Sequence, residues 1–164
     1  MKFNSRMDFT TDVHNNIAIP KIYAPLGITD IISEVGTKAD LRDGIDYIGH
    51  FEGNAFTIQE RFRQPQYKNY TDITFRYDSP DAIGDTRREF FKIKAEAFLY
   101  GIANDAGDDF AWAYMFAVEP VLEAIINGEI AYQYKSNGPN DTGFIAIEVN
   151  AIDYLGATIV RYKI

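Results

Sequence analysis

The sequence predicts a mixed α/β domain: a central β-sheet flanked by helices. Three observations carry this. The apolar period is four near the N-terminus and switches to two from Gly44 onward. The run Phe110 to Val118 is apolar on both faces, as an interior strand requires. Glu119-Pro120 starts a helix with the stripe Val121, Leu122, Ile125 and Ile126, and Asn127-Gly128 stops it.

In chain order, Phe9, Val13 and Ile17 recur every four residues after Thr10 and Thr11, which predicts a first helix ending near Pro20. Ile28 to Val35 fits either a short helix or a strand. GIDYIGHFEGNAFTIQERFR then reads as strand, tight turn at Glu52-Gly53-Asn54, and strand. Ile73 to Tyr77 is a third alternating strand, so the three form a meander. Thr86 to Lys94 reads as a helix capped near Asp85. Ala97 to Ala103 is taken as a strand, because Asn104-Asp105-Ala106-Gly107-Asp108 beyond it is a turn. In Phe110 to Val118 the large residues Phe110, Trp112, Tyr114 and Phe116 are expected on one face. Residues 143–149 and 158–164 are closing strands.

With 164 residues, 46% hydrophobic and 15% aromatic, the chain can bury one core, and a single domain over 1–164 is expected. A formal net charge of −8 and a pI of about 4.7 exclude a generic basic surface, so any nucleic-acid contact must be local. The absence of cysteine excludes disulfide scaffolds, thiolate zinc sites and cysteine nucleophiles, and fits a reducing cytoplasm. MKFNSRMDFTTDVHNN has no uninterrupted apolar run of signal-peptide type, and no stretch of about 18 apolar residues occurs. A soluble, cytoplasmic protein without membrane contact is expected.

His14 and His50 lie far apart with no zinc-type spacing. His14 reads as a surface or packing residue, because no carboxylate is recognisably paired with it. No phosphate-cradling glycine loop and no Ser/His/Asp arrangement occurs.

The chemistry-bearing stretch is AFTIQERFR, residues 55–63. Alternation sends Phe56, Ile58, Glu60 and Phe62 one way and Thr57, Gln59, Arg61 and Arg63 the other. If the polar faces of the meander coincide, Asp46, Gln59, Arg61, Arg63 and Arg76 form one patch. Residues 55–77 hold Arg61, Arg63, Lys68 and Arg76 against Glu60 and Asp72, a local positive excess that favours a phosphate-bearing partner.

GIDY, a turn and IQERFR together resemble the PD-(D/E)XK nuclease superfamily, over roughly residues 8–104. The resemblance implies a restriction-endonuclease-like αβββαβ core with additional C-terminal strands, and a nucleic-acid-processing protein, DNA ahead of RNA. It implies Mg2+ or Mn2+ held by Asp46, Gln59 and a helix acid, Asp12 or Asp8. Arg61 would stand where the family has lysine, and Arg63, Arg76 and Lys68 would contact nucleic acid. Two departures weaken catalysis. Gln59 offers only a neutral amide oxygen to a hard cation, and the Arg61 guanidinium positions charge but cannot act as a base. The expectation is a divalent-metal-dependent endonuclease or a degenerate, binding-only relative.

An alternative is a non-enzymatic acidic interaction or inhibitor protein. Its motive is 24 acids against 16 bases, with Asp105, Asp108 and Asp109 clustered at one turn. An accessory protein that buries aromatic strands in an oligomer is a third possibility. Small size alone suggests a phage or mobile-element setting.

Overall fold

The computed structural model describes residues 6–76, 93–136, 138 and 143–164. In chain order these form α1 (Arg6–Val13), a π-helical stretch (His14–Tyr23), β1 (Thr29–Ser33), α2 (Lys38–Asp43), β2 (Tyr47–Phe51) and β3 (Asn54–Arg63). A 3-10 turn (Pro65–Tyr67), β4 (Asp72–Arg76), β5 (Ala97–Ala103), β6 (Phe110–Ala117) and α3 (Val118–Ile126) follow. The chain closes with β7 (Gln133–Ser136), β8 (Gly143–Glu148), α4 (Val149–Tyr154) and β9 (Thr158–Tyr162).

The expected class holds: a mixed central sheet of six strands, ordered β1-β2-β3-β5-β6-β9, is flanked by helices. Among the described strands, β3 and β5 pair in parallel and the other neighbours in this sheet are antiparallel. A second sheet of three strands, β4-β8-β7, packs on one face. Between the sheets, Ile73, Phe75, Ile145 and Ile147 meet Phe98, Tyr100, Trp112 and Phe116, with α3 and α4 closing the layer. The other face of the large sheet carries a second core, in which Phe9, Val13, Ile17, Ala18 and Ile22 cover Ile58, Phe62, Leu99 and Met115. No helix among the described residues is long and apolar enough to cross a membrane.

The first helix runs past Pro20 to Tyr23, against the expected stop. Beyond Val13 it widens to π geometry, and buried residues then recur at steps of four and five, Val13 to Ile17 and Ile17 to Ile22. Exposed Pro20 removes one N–H donor, while Ile22 and Tyr23 beyond it anchor the final turn in the core.

Ile28 to Val35 resolves as the edge strand β1. The hairpin forms as expected, with Glu52 and Gly53 both at positive φ, 49° and 80°, as a two-residue turn demands. The short helix α2 was not anticipated. Thr37 caps it by accepting from the Ala39 N–H at 3.2 Å, and Gly44 ends it at φ 61°.

The meander is corrected. β4 does not lie beside β3; it pairs antiparallel with β8 in the second sheet, and β5 takes the place beside β3. Pro65 and its 3-10 turn lead the chain away from the sheet, and Phe75 then packs edge-on to Phe98 with ring centroids 5.1 Å apart. Of the helix expected over Thr86 to Lys94, all but the last two residues lie outside the described residues, and Ile93 and Lys94 have no regular structure.

β6 is interior, but its large residues do not share one face. Ile102 pairs with Trp112 and Ala103 with Phe110, so Ala111 is an extra, bulged residue. Trp112, Tyr114 and Phe116 enter the core between the sheets, and Phe110 enters the helix-side core. There it covers Gly101, where an added Cβ would lie 2.5 Å from Phe110 Cε1. Phe110 is fully buried and has no room to retreat. Gly101→Ala is therefore expected to cost about 1–3 kcal/mol by overpacking. Urea unfolding checks this, and an unchanged midpoint would show that the ring yields freely.

Candidate functional site

β3 separates two polar sites by alternation. Gln59, Arg61 and Arg63 sit beside Phe98, Tyr100 and Ile102 of β5, on the face toward the second sheet. Glu60 points with Ile58 and Phe62 into the helix-side core. The strand parity read from the sequence is the parity observed.

Asp46 follows the end of α2 and enters the sheet through its N–H, which donates to the Ile58 carbonyl at 2.9 Å. Its Oδ2 accepts from the Glu60 N–H at 2.7 Å and from Gln59 Nε2 at 3.2 Å. Burial pushes the Asp46 carboxyl up to about 7; the Glu60 N–H opposes that shift, and the carboxylates of Glu60 and Asp40 add to it. Gln59 Oε1 is buried without a hydrogen-bond partner among the described residues, and an added Cβ on Gly44 would lie 2.7 Å from it.

Asp46 and Gln59 therefore meet, as the resemblance implies, but as a hydrogen-bonded pair. The amide donates to the carboxylate, and its oxygen lies against the Gly44 backbone. Among the described residues no three or more His, Cys, Asp or Glu side chains are grouped to hold a metal ion. Asp12, the expected helix ligand, accepts from Asn16 Nδ2 at 2.7 Å on its own helix, and Asp8 is exposed. The acids that act on Asp46 come from β3 and α2, not from α1. The residues assigned to Mg2+ or Mn2+ do not fit a coordination set in this arrangement.

Arg61 and Arg63 line a cleft of about 910 Å³ with Lys135, Asp72, Gln64, Gln66, Tyr67 and Tyr70. Phe9 and Thr10 of α1 also reach its wall. The Arg63 guanidinium lies 4.1 Å over the Tyr67 ring, and its Nη1 donates to Thr74 Oγ1 at 2.9 Å. Tyr70 is 57% exposed at the lip. Among the described residues that line the cleft, cations outnumber acids three to one, in a chain of net −8. Lys68 pairs with Asp105 instead of lining the cleft. Arg76 ends β4 opposite Phe144, and its side chain lies outside the described part.

The second polar site was missed. His14 is 4% exposed, and its Nδ1 lies 2.9 and 3.0 Å from the two Glu60 carboxylate oxygens. Tyr23 Oη donates to Glu60 Oε1 at 2.5 Å, and the His14 ring stacks on Tyr47 with centroids 3.9 Å apart. Carboxylate oxygens accept, so Nδ1 carries the hydrogen in this geometry. Burial, and then the Glu60 carboxylate, raise Tyr23 well above its ordinary range, which keeps it a donor. The expectation that His14 has no carboxylate partner is thus overturned. A signal was present in the sequence: a glutamate between Ile58 and Phe62 on a buried face needs a partner. His50, by contrast, hydrogen-bonds through Nδ1 with the Asp30 carbonyl, at 3.2 Å.

No protein-family model, no curated protein and no solved structure matches this chain.

The raised Asp46 pKa has a measurable consequence. An unfolded aspartate releases its proton near 3.8 and the folded one near 7, so between these values the folded chain binds more protons. Stability attributable to Asp46 is then fully present below the lower value and is lost as pH rises through the upper one. Asp46→Asn copies the neutral form. It is expected to leave stability near pH 4 unchanged and to raise it near pH 8 by about 1–3 kcal/mol, the full span being reduced by residual solvent contact. Urea unfolding at the two pH values checks this; an equal change at both would contradict it.

Proposed function

We propose that this chain binds single-stranded nucleic acid in the cleft between its two sheets, without cleaving it. The observation that carries this is the delivery of Arg61 and Arg63 by one face of β3 into a cleft edged by Tyr67 and Tyr70. Arginine matches phosphate through its planar fork of donors, and tyrosine rings provide stacking surfaces for unpaired bases. A cleft of about 910 Å³ lies in the range of enclosed ligand pockets, which suits a few splayed nucleotides better than a duplex.

The Asp46–Gln59 arrangement supports the binding-only form of the resemblance to PD-(D/E)XK nucleases. A carboxylate already occupied by two N–H donors, beside an amide that faces it with nitrogen, is a poor start for a metal centre. The acidic-inhibitor alternative draws less support. Asp105 pairs with Lys68, Asp108 with Asn104, and Asp109 with Lys163 and Tyr162, so the clustered acids are engaged within the fold.

The test is fluorescence anisotropy with labelled single-stranded, duplex and branched DNA and RNA, beside cleavage assays in Mg2+ and Mn2+. The expected result is salt-sensitive binding of single strands and intact substrates. Binding to none of them would overturn the proposal. Metal-dependent cleavage that Asp46→Asn abolishes would replace it with an active nuclease.

A further inference from the structure

Taking the cleft as the nucleic-acid site, we propose that Asp72 and Lys135 read the base and select guanine. Asp72 opens β4, is 9% exposed, and lines the same cleft as Arg61 and Arg63. A buried carboxylate is misplaced in a pocket that serves phosphate alone, because it repels the anion and weakens the field of the arginines. Its place there makes sense if the occupant also presents N–H donors.

The neutralisation of Asp72 within the fold is slight. Lys135 Nζ lies 3.3 Å from Oδ2, longer than the roughly 2.7–2.9 Å of a strong charge-assisted bond. The Lys135 side chain is 41% exposed, so its ammonium stays largely hydrated. Side by side, the pair offers one cationic donor and a two-oxygen acceptor.

That pattern is the complement of guanine's pairing edge, which presents the O6 acceptor and then the N1–H and N2–H donors. Lys135 donates to O6 while the Asp72 carboxylate accepts from N1–H and N2–H together. Uracil and thymine flank their single N–H with carbonyl oxygens that would face the carboxylate. Adenine has an exocyclic amine but no ring N–H beside it. Cytosine offers its amine to a carboxylate singly. The arginines hold the backbone and carry no base preference, so specificity falls to the second sheet and charge to the first.

The experiment uses labelled all-thymine oligonucleotides of about eight residues, within the span of known single-strand sites, carrying one central guanine, hypoxanthine, adenine or cytosine. The guanine oligonucleotide is expected to bind about 10-fold or more tighter than all-thymine, a gain of the size one bidentate base contact gives. Hypoxanthine, which lacks the N2 amine, should fall well below guanine. Asp72→Asn, with its fold checked by circular dichroism, should bring all of them within about 2-fold of one another, and Lys135→Ala should weaken the guanine preference. Equal binding of all the oligonucleotides by the unaltered protein would overturn base reading while the cleft stands. Binding of none would overturn both.

Discussion

Glu60→Ala lowers stability by about 2–5 kcal/mol, because it strands two buried hydrogen-bond donors at about 1–3 kcal/mol each. The substitution removes the acceptor of both His14 Nδ1 and Tyr23 Oη, and neither donor has water to turn to, His14 being 4% and Tyr23 0% exposed. Glu60→Gln keeps one acceptor and the side-chain volume, and should cost less, about 1–2 kcal/mol. Because His14 and Glu60 form one unit, His14→Ala combined with Glu60→Ala should cost less than the two single changes added together. Urea unfolding of the four proteins measures this. Strict additivity, or a loss below about 1 kcal/mol for Glu60→Ala, would show that the network does not tie the first helix to the sheet.

Arg61→Ala with Arg63→Ala weakens single-strand binding by about 10²-fold or more at low salt, two charge-assisted contacts being lost. The dependence of log K on log salt should become shallower by about 1.4, since each single-strand phosphate contact contributes about 0.7. The double variant also loses Arg63's contacts with Thr74 and the Tyr67 ring, so urea unfolding run beside the titrations separates lost binding from lost folding. Lys68→Ala provides the contrast. Lys68 pairs with Asp105 outside the cleft lining, and its removal should leave affinity within about 2-fold. Anisotropy titrations at several salt concentrations separate these outcomes; unchanged affinity in the double variant would remove the cleft from nucleic-acid binding.

Much of this arrangement was legible because side-chain direction on a strand is a local property. Alternation placed Gln59, Arg61 and Arg63 together and Glu60 apart, and turn chemistry at Glu52-Gly53 fixed the hairpin. The choice of neighbour is not local. Nothing within Ile73 to Tyr77 says that β4 will pair with β8, some 70 residues onward, instead of with β3. The bulge at Ala111 is one alanine among alternating aromatics, and it moved Phe110 to the opposite core. The helix α2 has six residues, too few for a helical period to show. Its absence from the expected elements hid Asp40 from the account of Asp46. His14 and Glu60 stand 46 residues apart, so their partnership required the helix to be docked first.

The opposed faces of β3 also bear on how such a chain changes over generations. Ile58, Glu60 and Phe62 hold the helix layer to the sheet, and substitutions there are charged against folding. Arg61 and Arg63 face the cleft from the other side of the strand, so selection can rewrite them without touching that helix-side packing. A strand built this way lets a binding surface be lost, retuned or regained by single steps, each passing through a folded protein.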